Sequence, residues 1–289
     1  MPGILCISIG CNRQEKIATE YGKTSGLSAG KSVNGVSVLK RLFQAEGNRV
    51  KRSSRISPQI RNYDTVIWFP DRNSYPSAAA VQAINDWMDM GYGKTFVYIG
   101  RGYDAEMQYW DSVIDQVEGP QHELARRKRA YARVSSALED YDPYYYWREE
   151  ETTECSWFEE DYTAEKRAKR LTGPWAEDVV DKDANVQLGT LLESKFENSY
   201  YPEYRSLLKC DGESFAFSHD FTSQDGKMIF ISNGSFLLNY GLVNQENRKL
   251  ASNLIDECSY GSVLFLESGP DPITVTESDA PQRTTSGLG

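Results

Sequence analysis

Few residues in this chain could do chemistry, and their spacing already narrows what that chemistry could be. Gly26-Leu-Ser-Ala-Gly30-Lys31-Ser32 approaches a phosphate-binding loop, in which backbone N–H groups cradle phosphates and a lysine reaches the outer oxygens. Its first glycine stands one position too close, because Ser25 occupies the place the spacing demands, and no apolar strand leads into it. Gly93-Lys94-Thr95 lacks the partner glycine and runs into a strand instead of a helix. Nucleotide hydrolysis is therefore not expected. The two histidines, His122 and His219, are far apart, which thins out histidine metal sites and catalytic triads. Among the five cysteines there is no Cys-x-x-Cys pair and no Cys/His cluster, so no structural zinc and no cofactor is expected.

Cys11 stands apart from the others. Ile4-Leu5-Cys6-Ile7-Ser8-Ile9-Gly10 is a short apolar stretch ending in a small residue before Cys11, and the polar run Asn12-Arg13-Gln14-Glu15-Lys16 follows. This resembles the end of a bacterial lipoprotein signal peptide, with Gly10 before the cleaved bond and Cys11 as the lipid attachment site. A thiol is nucleophilic enough to take a diacylglyceryl group, and a small preceding side chain leaves the backbone open to a peptidase. The charged n-region is missing and Ser8 interrupts the apolar part. The other reading is a buried first strand, Ile4 to Ile9, with Cys6 and Cys11 as core thiols. If Cys6 is removed and Cys11 lipidated, Cys155, Cys210 and Cys258 remain, enough for one disulfide at most.

The elements that must position these residues come from a chain able to bury a core: 289 residues, 39% hydrophobic and 12% aromatic. No run approaches the roughly 20 apolar residues that a membrane-spanning helix needs. There are 32 Lys and Arg against 42 Asp and Glu, a net charge of −10, so nucleic acid is not the expected partner. Residues 139–165 hold eleven acids against the single base Arg148, together with eight aromatics. They read as an acidic-aromatic insertion (139–176) whose acids offset the basic helix face of Arg126, Arg127, Lys128, Arg129 and Arg133. The same aromatics would also suit a carbohydrate- or peptide-binding patch.

Periodicity gives an α/β body. Asn34 is expected to cap a helix carrying Val36, Leu39, Leu42 and Phe43. Asp64–Phe69 and Lys94–Ile99 read as buried strands, joined by a helix that Ser77 caps and that carries Val81, Ile84 and Trp87. Strand, helix, strand at this spacing implies parallel pairing. After a helical region over 105–138 come a hairpin turning near Asp211-Gly212, a strand over Lys227–Ser232, a helix from about Asn244, and a closing strand over Ser262–Leu266. The expected organisation is a leader and linker over 1–17, one α/β domain over 18–268, and a flexible tail over 269–289.

The succession Thr24-Ser25-Gly26, Ser32-Val33-Asn34-Gly35-Val36-Ser37-Val38-Leu39, Thr65-Val-Ile-Trp-Phe-Pro70 and Gly91-Tyr-Gly-Lys-Thr-Phe-Val-Tyr98 resembles the start of the DUF4350 family. So does the later block Ile231-Ser-Asn233-Gly-Ser235-Phe-Leu-Leu-Asn239, Asn244, Asn247-Arg248 and Leu264-Phe-Leu-Glu267. The resemblance implies a mostly parallel sheet flanked by helices, a flavodoxin-like or class I glutamine-amidotransferase-like sandwich, in bacterial membrane-associated proteins of no established activity. Relatives often carry a membrane span after the domain, so attachment here would rest on Cys11. An amidotransferase would set a nucleophilic cysteine between glycines at a strand-to-helix turn. Gly100-Arg101-Gly102 has that spacing but an arginine at its centre, which cannot be a nucleophile.

In open α/β sheets ligands sit beyond the carboxyl ends of the strands. Ser32, Asn34, Arg101, Asn233 and Ser235 are thus expected to line a ligand pocket, with Arg101 supplying charge. The leading functional expectation is a non-catalytic, lipid-anchored binding or scaffold domain outside the cytoplasm, serving an unknown protein or small molecule. A hydrolase or amidotransferase-like enzyme, a carbohydrate- or peptide-binding module and a cytoplasmic location are the alternatives.

Overall fold

Apolar runs bounded by turn residues fold into the strands expected of them, and the surprises lie in what joins their edges. A computed structural model describes residues 30–70, 75–101, 105–139, 155–196, 203–222, 224–267 and 273–279. In chain order the elements are α1 (Ser37–Ala45), β1 (Arg49–Ser53), β2 (Arg55–Ile56), β3 (Thr65–Phe69), α2 (Ala78–Asp89) and β4 (Thr95–Ile99). Next come α3 (Glu106–Ile114), α4 (Pro120–Glu139), β5 (Phe158–Arg167), β6 (Leu171–Thr172), β7 (Gln187–Ser194) and β8 (Glu203–Cys210). The chain closes with β9 (Glu213–Phe221), β10 (Gly226–Ile231), α5 (Gln245–Glu257), β11 (Ser262–Glu267) and β12 (Thr274–Val275).

The main sheet has eight strands in the order β1-β11-β3-β4-β10-β9-β8-β6. The first five pair in parallel, so the four strands read from the apolar runs are neighbours. The last three pairings are antiparallel. The sheet is therefore mixed, which overturns the mostly parallel sandwich that the resemblance implied. Connection length explains why. Only residues 222–225 separate β9 from β10, whereas a parallel return needs a crossover of a dozen residues or more. The hairpin of β8 and β9, turning through Asp211 (φ 54°) and Gly212 (φ 99°), must then extend the sheet antiparallel.

Two apolar layers cover the sheet. One face buries Ile67, Val97, Ile229 and Phe265 beneath α1 and α5, and the other buries Val66, Phe96 and Phe230 beneath Ile84 and Trp87 of α2. Trp87 is fully buried. Within the expected insertion, residues 140–154 lie outside the described residues, but Trp157 and Phe158 are core side chains packed on Phe96, Tyr98 and Phe230. Residues 155–176 are therefore part of the body and not a solvated excursion. Among the described residues, three bases of α4 have partners nearer by: Arg126 and Arg127 meet Glu123 of the same helix, and Arg129 meets Asp111 of α3. The tail also departs from expectation, since Ile273 is buried and β12 pairs with β2.

Capping shows how distant residues substitute for local ones. Ser77 accepts from the Ala80 N–H and Asn244 from the N–H groups of Glu246 and Asn247, as expected. Asn34 does not cap α1. That part falls to Asn239, whose Oδ1 accepts from the Val38 N–H at 2.8 Å while its Nδ2 donates to the carbonyls of Gly30 and Ser32.

Candidate functional site

In a sheet of this kind the carboxyl ends of the parallel strands are where a ligand crevice is expected. The connection leaving β3 leads to α2 on one face, and the one leaving β4 reaches α3 through Ala105, packed on the other. Neighbouring loops that diverge in this way open a gap between strand ends. Gly100 follows β4 and Ser232 follows β10, and their backbones touch: the Gly100 N–H donates to Ile231 O at 2.7 Å and the Gly234 N–H to Gly100 O at 2.9 Å. The expected Gly100-Arg101 and Asn233-Gly234-Ser235 segments are thereby brought together. The segment of Ser32 and Asn34 joins them through Asn34, whose Oδ1 accepts from the Ala105 N–H at 2.7 Å. At its other end Gly30 lies against the Arg52 guanidinium of β1. Residues 30–34 thus cross the strand ends from β1 to β4.

The five expected pocket residues divide in two. Asn34 and Ser235 are engaged by the fold: Asn34 as above, and Ser235 by accepting from the Gln187 N–H of β7 at 3.1 Å. Ser32 and Asn233 are 2% and 1% exposed, and among the described residues no hydrogen bond reaches the Ser32 Oγ or the Asn233 Nδ2. The Asn233 Oδ1 accepts from the Ser235 N–H, which leaves the amide nitrogen on the opposite side of the cap. A buried donor without a partner costs roughly 1–3 kcal/mol, so two on one edge call for a partner. Arg101 is half-buried beside them. Cys11 lies outside the described residues.

Sequence reasoning missed a charged cluster on the same edge. Glu267, the last residue of β11, is buried, and its Oε1 meets the Lys40 Nζ of α1 at 2.5 Å and the Arg52 Nε at 2.9 Å. Burial lowers the Lys40 pKa even though the Glu267 contact works against it. The signal was available, because an acid ending a run as apolar as Ser262–Leu266 must be paired if the strand is buried.

Outside this edge, His219 gains a partner that the sequence did not reveal. Its Nε2 lies 2.8 Å from the Ser194 Oγ, and its ring is buried against Phe196, Phe217 and Phe230. No hydrogen bond reaches Nδ1, so among the described residues no carboxylate orients the ring as a hydrolytic triad would require. Burial depresses the His219 pKa to about 4. The folded value lies below the unfolded one, so the stabilisation is complete above about pH 6.5 and is lost as pH falls from there through 4. The expected loss is about 3 kcal/mol. Urea unfolding of wild type and His219→Phe at pH 7 and pH 4 checks this, and an equally steep acid decline in both would reject it. The described cysteines are unsuited to nucleophilic work: Cys155, Cys210 and Cys258 are free thiols whose pKa values burial raises.

What emerges is an α/β protein with a mixed eight-stranded sheet and a carboxyl edge at which two buried donors, Ser32 Oγ and Asn233 Nδ2, find no partner among the described residues. The chain belongs to the DUF4350 family, described as a domain of unknown function, whose pattern matches residues 28–255. No match was found among curated proteins or among solved structures.

Proposed function

We propose that this protein is a non-catalytic binding domain that takes a small anionic ligand at the carboxyl edge of its parallel strands. The observation that carries this reading is the pair of buried polar groups there, Ser32 Oγ and Asn233 Nδ2, which have no partner among the described residues. Both are hydrogen-bond donors, and an amide N–H can be satisfied only by an acceptor. Among the described residues the charged side chains of this edge are Lys40, Arg52 and Arg101 against Glu267. Carboxylates and phosphates supply both the acceptors and the charge that such a surface favours. Melting temperatures measured with inorganic phosphate, sulfate and small dicarboxylates test the idea. At least one anion should stabilise the wild type beyond a potassium chloride control of equal ionic strength. Its affinity should fall about tenfold in Ser32→Ala or Arg101→Gln, the loss of one hydrogen bond near charge. Absence of any anion-specific stabilisation would remove the reading.

The domain is further proposed to be held at the bacterial envelope through a lipid on Cys11, because two acyl chains on one thiol suffice for stable attachment. No helix of the described residues is long and apolar enough to cross a membrane. Expression with radiolabelled fatty acid should label the wild type and not Cys11→Ser. Equal labelling, or none in either, would end the lipoprotein reading.

A further inference from the structure

The segment expected to be a free tail is bound like a ligand. Ile273 is 5% exposed and inserts into the apolar cluster that holds Ile56, Ile60 and Ala80. Thr274 and Val275 then pair in parallel with Arg55 and Ile56, and the Thr276 N–H donates to Ile56 O at 2.8 Å. Asp279 ends the contact: its Oδ1 accepts from the Gln59 N–H at 3.1 Å and its carbonyl from Arg55 Nη2 at 3.3 Å. Among the described strands β2 pairs with β12 alone, so without this segment its hydrogen-bonding edge is open. This is strand addition: backbone pairing supplies adhesion, and pockets for particular side chains supply selectivity.

We propose that the groove between β2, the short helical turn Pro58–Asn62 and α2 is a docking site for an acidic extended peptide of a partner protein, occupied here in cis by residues 273–279. The partner segment carries an aliphatic anchor followed within about six residues by carboxylates. Charge supports that choice. The residues that form the groove, 55–61, hold the bases Arg55 and Arg61 and no acid, with Arg52 shared with Glu267 next to it, whereas the bound segment carries Glu277 and Asp279. A polar cleft of about 140 Å³ lined by Arg55, Ser57, Gln59 and Tyr63 has Asp279 in its wall, so the end of the bound segment borders open space in which a longer acidic peptide could continue. Two paired residues and one anchor make a weak contact by themselves, so the cis segment holds the groove through its tether, at an effective concentration of roughly millimolar. A partner with more contacts displaces it by mass action.

The test uses the full chain and a fluorescent peptide with the sequence of residues 272–280. Ile273→Asp removes the anchor from the tethered segment, and Thr276→Pro removes its N–H without touching the core. Fluorescence anisotropy should show at least tenfold tighter peptide binding to either variant than to wild type. The gain should vanish when the peptide carries aspartate in place of its isoleucine, and should weaken with added salt or when both acids are replaced by alanine. Equal affinity for wild type and both variants, or no binding to a variant that melts as a folded protein, overturns the proposal. Dimers of wild type formed by tail exchange would make a second copy the occupant and overturn it equally.

Discussion

Gly100→Ala is expected to destabilise the protein by more than about 4 kcal/mol, enough to remove most of the stability of an ordinary domain. A Cβ at Gly100 would lie 2.1 Å from Ser232 O and 2.9 Å from Ser232 C. Both are backbone atoms, and they cannot give way as the end of a flexible side chain would. They are held by the parallel ladder of β4 and β10, in which Tyr98 faces Phe230 and Ile99 faces Ile231. Relief would require separating the strand ends and breaking the Gly100 to Ile231 and Gly234 to Gly100 hydrogen bonds. These are the contacts that bring the two candidate loops together, so any folded remnant should also lose anion binding. Urea unfolding checks the claim. A Gly100→Ala protein within 1 kcal/mol of wild type would show that the strand ends are not closed on each other.

How much of this could be read in the sequence depended on whether the signal was local. Asp64–Phe69 and Lys94–Ile99 are runs that only a doubly covered strand explains, and Ser77 and Asn244 stand directly before helical periodicity. Asn34 stood in an equally good place, yet α1 is capped by Asn239, about 200 residues away, because folding set that amide between the helix start and the loop before it. No single-chain pattern distinguishes the two asparagines. The edge strand β1, Arg-Val-Lys-Arg-Ser, escaped notice because its sequence carries the charge of an exposed edge and no run of apolar residues. Trp157 and Phe158 are hidden for the opposite reason, since the acids around them suggest solvent while their rings are buried. Of the candidate site, the strand-end loops were legible, but which of their polar atoms the fold consumes was not. Asn34 and Ser235 find backbone partners on α3's entry and on β7, contacts that exist only once the sheet is assembled.

Glu267→Ala is the other large effect, expected to destabilise the protein by about 3–5 kcal/mol at pH 7. The carboxylate is the partner of Lys40, and without it the buried ammonium keeps, among the described residues, the Phe265 ring 5.5 Å from Nζ as its contact. Arg52, with 38% of its side chain exposed, can turn to solvent, whereas Lys40, with 8%, cannot. Burial already lowers the Lys40 pKa, and removing the contact that opposes it lowers the value further. The sign of the pH dependence follows. The folded variant binds fewer protons than its unfolded chain, so its stability rises with pH, and the gap to wild type should narrow between pH 7 and pH 9.5. A second comparison separates pairing from packing. The double variant Lys40→Met with Glu267→Leu keeps the volume and removes both charges, and it should unfold within about 1 kcal/mol of wild type, because apolar replacement of a buried pair is often neutral. Because one base and one acid leave together, the net charge of the carboxyl edge is unchanged and binding of the stabilising anion should be retained. A single variant that loses less than 1 kcal/mol, or a double variant as unstable as the single, would show that Glu267 does not hold α1 over the strand ends through Lys40.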